Sequence, residues 1–354
     1  MKTIKNLWSR IKNWSVPQRI FGIRLPSWMR LPKIRARYMA IFIAVLTAVV
    51  LGLPQNFLFT LVKSLAFQLS GALAVYAAWC WWRRRRLLGW WSLICSTLIF
   101  MSLVPFFQGA GVAGSTDADL RVAHFNVLKF NNHHESTVAA ALETKAHFIS
   151  FQEVDQRWGD SLVEGLSEEY PYYKIIPKAH CYGLAVFSKF PLSQVRSFNV
   201  SGVPSIIGDI KTDEGNVHFL AAHTRAPTSP RNYYERNKHL SAITAYLENI
   251  KGPKIALGDF NAVPWDDAVK DLQADAGLSD SRQNLAPTYP AWFLPGLIPI
   301  DYILHSSELQ CIEFGTIKST FSDHYGIQGV YALDPPDAPL AEGIPFSTST
   351  ISTP

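Results

Sequence analysis

The chain has 354 residues and a formal net charge of +5, but its charges are segregated. All 28 acidic residues lie after residue 116, accompanied by 18 basic ones, while the first 116 residues hold 15 Lys and Arg and no acid. The length excludes a single small domain, and the overall basic balance is excluded as a guide to the partners of the acidic part.

Residues 1–37 form a basic leader with ten Lys and Arg, and with Trp8, Trp14 and Trp28 among them. It reads either as a disordered topology signal or as a segment lying on an anionic inner leaflet. Residues 38–107 hold three apolar runs, at about 38–53, 57–82 and 87–107. Each approaches the roughly 17–25 residues that cross a bilayer core, so three transmembrane helices are expected. Lys63 is near one end of its run and is expected to snorkel. Cys80 and Cys95 are expected to be packing residues. The leader and the cluster Arg83-Arg84-Arg85-Arg86 belong in the cytoplasm by the positive-inside rule, with Trp79, Trp81, Trp82, Trp90 and Trp91 as an interface belt. Three crossings then leave the remainder outside the cytoplasm.

Residues 108–118 read as a small-residue linker. From 119 to 333 strand-like and helical stretches alternate. LRVAHFNV is a strand. STVAAALETK is a helix with Ser136 or Thr137 as its cap. HFISFQEV is a strand and GDSLVEGLSEEY a helix. Five strand-like stretches run from YYKIIPK to VHFLAAHT, with DEGN as a hairpin turn. NYYERNKHLSAITAYLENI is a long helix and KIALGDF a strand. WDDAVKDLQADA is a helix with Pro264 just before it. DYILHS, QCIEFGTIKS and YGIQGVYAL are strands. Residues 334–354, rich in Pro, Ser and Thr, read as a disordered tail. Helices mixed with hairpins give an α/β (α+β) domain of mixed sheets with helices outside. In an oxidising compartment Cys181 and Cys311 could form one disulfide.

The strands end in polar residues: Phe125-Asn126, Gln152-Glu153, His223, the GDFN of Gly258 to Asn261, Asp301, and the SDH of Ser322 to His324. Singly, each has a bland reading as a turn or cap residue; Asp259 and Asn261 can be a helix cap or half of a site. Together they imply a partner, because a buried carboxylate or amide costs free energy unless it is paired. Imidazoles, carboxylates and amides with no reactive Ser or Cys suit metal-assisted attack by water. No Walker loop, GxSxG or HExxH occurs.

The ordered set FN, QE, GLAVFSKFPL, HTRAP, GDFN, IDYIL and SDH resembles the endonuclease/exonuclease/phosphatase superfamily over about residues 119–332. The resemblance implies a four-layer sandwich of two mixed β-sheets flanked by helices. It implies Mg²⁺ (Mn²⁺ as a substitute) held by Glu153, with Asn126 beside it and Asp323 near a second metal or near His324. It implies Asp259 as the group that deprotonates water, Asn261 on a phosphoryl oxygen, His324 as a charge stabiliser oriented by Asp301, and His223 on the phosphate or leaving oxygen. Arg225 and Arg231 are candidates to grip substrate phosphates; for Arg236 and Lys238 a solvated helix face is as good a reading. TYPAWFLPGLIP, Thr288 to Pro299, would contact substrate or membrane, or pack over a sheet edge. The expected function is a membrane-anchored phosphodiesterase or nuclease. A phospholipid (sphingomyelinase-like) or inositol-phosphate phosphohydrolase is the alternative, and an inactive binding module the second. Similarity to membrane-tethered bacterial members implies a multi-pass inner-membrane location with a periplasmic catalytic domain. Expected partners are the membrane and a nucleic acid or phospholipid head group.

Overall fold

The structure, a computed structural model, describes residues 36–107, 120–292, 296–318 and 320–333, and a two-residue ladder pairing Arg19–Ile20 with Ile23–Arg24. The expected linker and tail, and most of the basic leader, lie outside the described residues. The apolar part forms helices α1 (Ala36–Leu51), α2 (Phe57–Ser64), α3 (Ala66–Trp82) and α4 (Arg86–Leu103), the last continued by a 3-10 turn at Val104–Phe107.

Three unbroken spans do not form. The run 57–82 breaks at Leu65, where α2 and α3 meet at 62°. α1 has 16 residues, and among the described residues Arg86–Phe107 is the one helix long and apolar enough to cross a membrane by itself. Lys63 lies just before the break. It does not snorkel but is buried, with Nζ donating to the Leu53 carbonyl at 3.1 Å and lying 3.8 Å from Asp267. α3 and α4 are joined by reciprocal bonds between Ser70 and Ser96, each hydroxyl donating to the other's carbonyl at 3.0 and 2.8 Å. Cys80 and Cys95 are buried beside that seam, as expected of packing residues.

The remaining elements run β1 (Leu120–Asn126), α5 (His134–Glu143), β2 (Phe148–Gln152), α6 (Gln156–Leu166), β3 (Tyr172–Ile176), β4 (Leu184–Ser188), β5 (Leu192–Val200), β6 (Val203–Thr212), β7 (Gly215–Ala222), α7 (Pro230–Leu247), β8 (Lys254–Asp259), α8 (Asp267–Ala276), β9 (Leu278–Asp280), β10 (Asp301–Ser306), β11 (Leu309–Ile317) and β12 (Gly326–Leu333). They build two six-stranded mixed sheets, ordered β11-β12-β1-β2-β4-β3 and β9-β10-β8-β7-β6-β5. β1 runs parallel to β2 and β7 parallel to β8; the other pairs are antiparallel. The sheets face each other across a core that includes Leu120, Val122, Phe148, Phe219, Leu257 and Ile303. α5 and α6 cover the outer face of the first sheet, and α7 and α8 that of the second. This is the four-layer arrangement expected.

Local differences follow from capping. α5 starts at His134, so Ser136 and Thr137 are inside it rather than at its cap. α8 starts after Asp266, whose carboxylate accepts from Ala268 N at 3.0 Å, two residues later than expected. β9 was not foreseen; three residues carry too little periodicity to read. Cys181 and Cys311 are both free, and Cys311 is buried in β11 with its thiol toward the carbonyls of Ser281 and Glu313, so no disulfide joins them.

The apolar helices pack on the sandwich. Trp265 Nε1 donates to the Lys63 carbonyl at 2.6 Å, and its ring meets Phe106 at 6.1 Å. Gln55 donates to Asp266 at 2.5 Å and accepts from Asp267 N at 2.8 Å. Asp266 in turn pairs with Arg236 at 2.9 Å. Arg236 is fully buried rather than solvated, and Nη1 also donates to the Asn261 carbonyl at 3.1 Å.

Candidate active site

The polar strand ends extend the inward-facing rows of the sandwich. Strand side chains alternate faces, so the row Leu120, Val122 continues as His124 and Asn126. The row Val217, Phe219, Ala221 continues as His223, and Ile255, Leu257 as Asp259. Asp301 opens the row that continues with Ile303. The apolar members of these rows form the inter-sheet core. β1 and β2 end in register, Asn126 beside Gln152, and Asp259 pairs directly with Asp301 across β8 and β10. The site is therefore the polar end of the core.

Asp259 lies at its centre and is buried. Oδ1 accepts from Asn261 N at 2.8 Å. Oδ2 lies 3.6 Å from His223 Nε2, 3.7 Å from His324 Nε2 and 3.4 Å from Asn126 Nδ2. Burial, with Asp301 adding like charge, holds its carboxyl well above the usual range. Behind it, Asp301 is clamped between two imidazoles, Oδ2 with His324 Nδ1 at 2.8 Å and Oδ1 with His124 Nε2 at 3.2 Å. Burial alone would drive His324 down, but the charge and hydrogen bond of Asp301 override it and raise it to about 10. Burial would raise Asp301, but His324 and His124 hold it below the usual carboxylate range. Burial and the charge of His324 push His223 down to about 3.

On the opposite wall, Glu153 follows β2. Its Oε1 is 3.4 Å from Asn126 Nδ2 and Oε2 accepts from Lys129 N at 3.1 Å. Burial raises its carboxyl, with Asp323 adding like charge. Asp323 Oδ1 is buried with no hydrogen-bond partner. Glu153 and Asn261 hold left-handed backbone conformations, φ 65° and 48°, which cost free energy in non-glycine residues and cluster at working sites.

Of the residues expected from sequence, Asn126, Glu153, His223, Asp259, Asn261, Asp301, Asp323 and His324 are brought to this one end. Asn261 uses Nδ2 on the Thr224 carbonyl at 2.9 Å. Arg225 and Arg231 meet at one acid, and the Tyr182 ring beneath Arg225 stands 5.4 Å from the His223 ring. Both arginines pair with Glu235, at 2.7 and 2.9 Å, and Arg225 also lies over the Tyr182 ring at 4.8 Å. Sequence reasoning passed over His124 and assigned Gln152 no role. His124 could have been found from its row, two residues before Asn126 on the same face. Gln152 crosses between the sheets, Oε1 accepting from Asp259 N at 2.9 Å and Nε2 donating to the Ala222 carbonyl.

Asp259, Asp301 and His324 offer ligand atoms within 4.8 Å of one another. Asp301 spends both oxygens on imidazoles, however, so this trio is better suited to moving and holding protons. Glu153 and Asp323 supply hard oxygen donors of the kind Mg²⁺ takes, and the unpartnered Asp323 oxygen beside the buried Glu153 carboxyl fits a cation there; Asn126 turns Nδ2 toward Glu153, while its Oδ1 accepts from Leu128 N at 3.1 Å.

A profile of the endonuclease/exonuclease/phosphatase family matches residues 123–324. No curated protein sequence matches the chain. Among solved structures, an endonuclease/exonuclease/phosphatase protein from Bacteroides vulgatus superposes with a TM-score of 0.52 at 17% identity, covering 62% of this chain and 100% of the other. A humanized D. rerio TDP2 gives 0.51 at 13% identity, covering 60% and 98%. A mannosyl-6-phosphatase of Bacteroides thetaiotaomicron VPI-5482 gives 0.50 at 18% identity, covering 60% and 100%. These likenesses show the shared fold. The matched span runs from Ala123 in β1 to His324 and so takes in every polar strand end gathered here; the chain belongs to the endonuclease/exonuclease/phosphatase family.

Proposed function

We propose that the chain is a Mg²⁺-dependent phosphodiesterase, anchored in a bilayer by α1–α4, with its site outside the cytoplasm. The observation that carries the activity is the convergence of the Asp259 carboxylate and two imidazole Nε2 atoms within 3.6–3.7 Å. Asp259 Oδ2 takes the proton of the attacking water. His324, kept protonated by Asp301, donates from Nε2 to the phosphoryl oxygen that gains charge. Neutral His223 lies on the other side of Oδ2 and donates to the leaving oxygen. Glu153 and Asp323 would hold Mg²⁺ (or Mn²⁺), with Asn126 beside it, and the ion when bound supplies positive charge beside the phosphate.

A nucleic-acid substrate calls for cations along a strand-length track. The sharing of Glu235 by Arg225 and Arg231 favours a shorter phosphodiester instead. Hydrolysis of bis(p-nitrophenyl) phosphate by the full chain tests the reading. Activity is expected with Mg²⁺, is lost with EDTA, and falls by about 10²–10⁴-fold in Asp259→Ala. Activity unaffected by that substitution would overturn the role of Asp259. Absence of both metal binding and hydrolysis would leave an inert binding module.

A further inference from the structure

A groove of about 540 Å³ lies where the apolar helices meet the catalytic domain. α3 lines it with Gly71 and Ala74, α4 with Ser96 and Phe100, and the loop before β10 with Leu285 and Leu297. Small residues on α3 keep the crevice between the helices open, and a methyl group placed on Gly71 would meet nothing within 4 Å. The groove opens beside helix faces carrying Val75, Ile94, Leu98 and Met101, all exposed. Such a continuous apolar surface has hydrocarbon as its natural solvent. Gln68 is a polar feature of the groove. Its Nε2 donates to the Leu297 carbonyl, while its Oε1 is buried with no partner.

The roof of the groove is also a wall of the active site. Ala291 N donates to the Asp323 carbonyl at 2.7 Å, and Asp301 N to Thr288 Oγ1 at 3.4 Å. The Tyr289 ring stands 4.9 Å from the His324 ring. One loop thus separates an apolar crevice open to the helix exterior from the phosphoester site. A lipid with a chain in the crevice would carry its polar end to the rim beside His324.

We propose that this groove binds one alkyl chain of a membrane lipid, and that the scissile phosphodiester is carried on that lipid. The substrate half of the inference rests on the phosphodiesterase reading; the groove half does not. The test uses the full chain in nanodiscs containing phosphatidylglycerol with a diazirine at the end of one acyl chain. Illumination is expected to concentrate cross-links on residues 67–74, 96–100, 285–287 and 296–297, and Gly71→Phe, which fills the crevice, is expected to remove them. In parallel, Mg²⁺-dependent release of the lipid head group is compared with hydrolysis of bis(p-nitrophenyl) phosphate. Gly71→Phe is expected to lower the ratio of lipid to soluble turnover at least tenfold, through KM for the lipid. Cross-links spread evenly over Val75 and Leu98, or an equal loss on both substrates, would overturn the proposal. Should the unaltered protein hydrolyse neither substrate, the phosphodiesterase reading falls and takes the substrate half with it, while the cross-links still decide the groove.

Discussion

His324 shows how one side chain acquires a working protonation state. Buried imidazoles ordinarily lose their proton, and His223 does so. His324 keeps its own because Asp301 is bonded to Nδ1 at 2.8 Å and is itself held ionised with the help of His124. On the proposed function, kcat/KM for a soluble phosphodiester should fall on the alkaline side with a midpoint at about 10. Asp301→Asn should move that midpoint down toward the ordinary histidine value of about 6.5. A pH profile of the two proteins checks this, and an unmoved alkaline limb in the variant would remove Asp301 from the role. The linkage has a definite sign. The folded value of His324 is raised, so its stabilisation is complete below about 6.5 and is lost as pH rises toward about 10.

Among the elements, the junction of β2, β7 and β8 decides where Asp259 stands. Gly258 has φ 143° and packs so close to β7 and β2 that a side chain would run into the Ala222 carbonyl and the Gln152 amide. Gln152 then serves both strands, accepting from Asp259 N and donating to the Ala222 carbonyl. Gln152→Leu keeps the volume but leaves two buried backbone groups unpaired, at about 1–3 kcal/mol each. A lower thermal midpoint by circular dichroism is expected, together with a fall in kcat larger than any change in KM, because Asp259 is displaced rather than removed. Gln152→Glu retains the acceptor for Asp259 N and should recover part of kcat. Equal behaviour of the two variants would make Gln152 a packing residue only.

At the scale of the molecule, the sandwich meets the helices at one end of the apolar bundle. Gln55, Lys63, Gln68 and Phe106 make the contacts, near the start of α2 and α3 and just beyond the end of α4. The Arg83–Arg86 cluster lies at the other ends of α3 and α4. On the proposed anchoring, the positive-inside rule puts the Arg cluster on the cytoplasmic side and the catalytic domain on the far side. Reporter enzymes active only outside the cytoplasm, fused after Arg86 and after Gly114, should be silent at the first position and active at the second. The reverse result would overturn the orientation. The 62° bend at Leu65 makes this measurement informative, since α2 together with α3 is not one straight span.

Most of the site was legible because its signals are local. Apolar run length, the segregation of acids from bases, and alternation along each strand can be read without knowing what touches what. They located the helices and strands, and placed Asn126, Glu153, His223, Asp259, Asp301 and His324 at strand ends. Only the tertiary structure decided how those residues pair. His124 meets Asp301 across 177 positions, and Gln152 meets Asp259 across 107, because two sheets stack in one particular register. Arg225 and Arg231 share Glu235, a pairing set by the course of α7. Lys63 is buried rather than at an interface, because burial demands a partner and Leu53 and Asp267 supply one. Hydrophobic period and span length are properties of a segment. The pairing of buried polar groups is a property of the fold, since each must find a partner wherever the packing has left one.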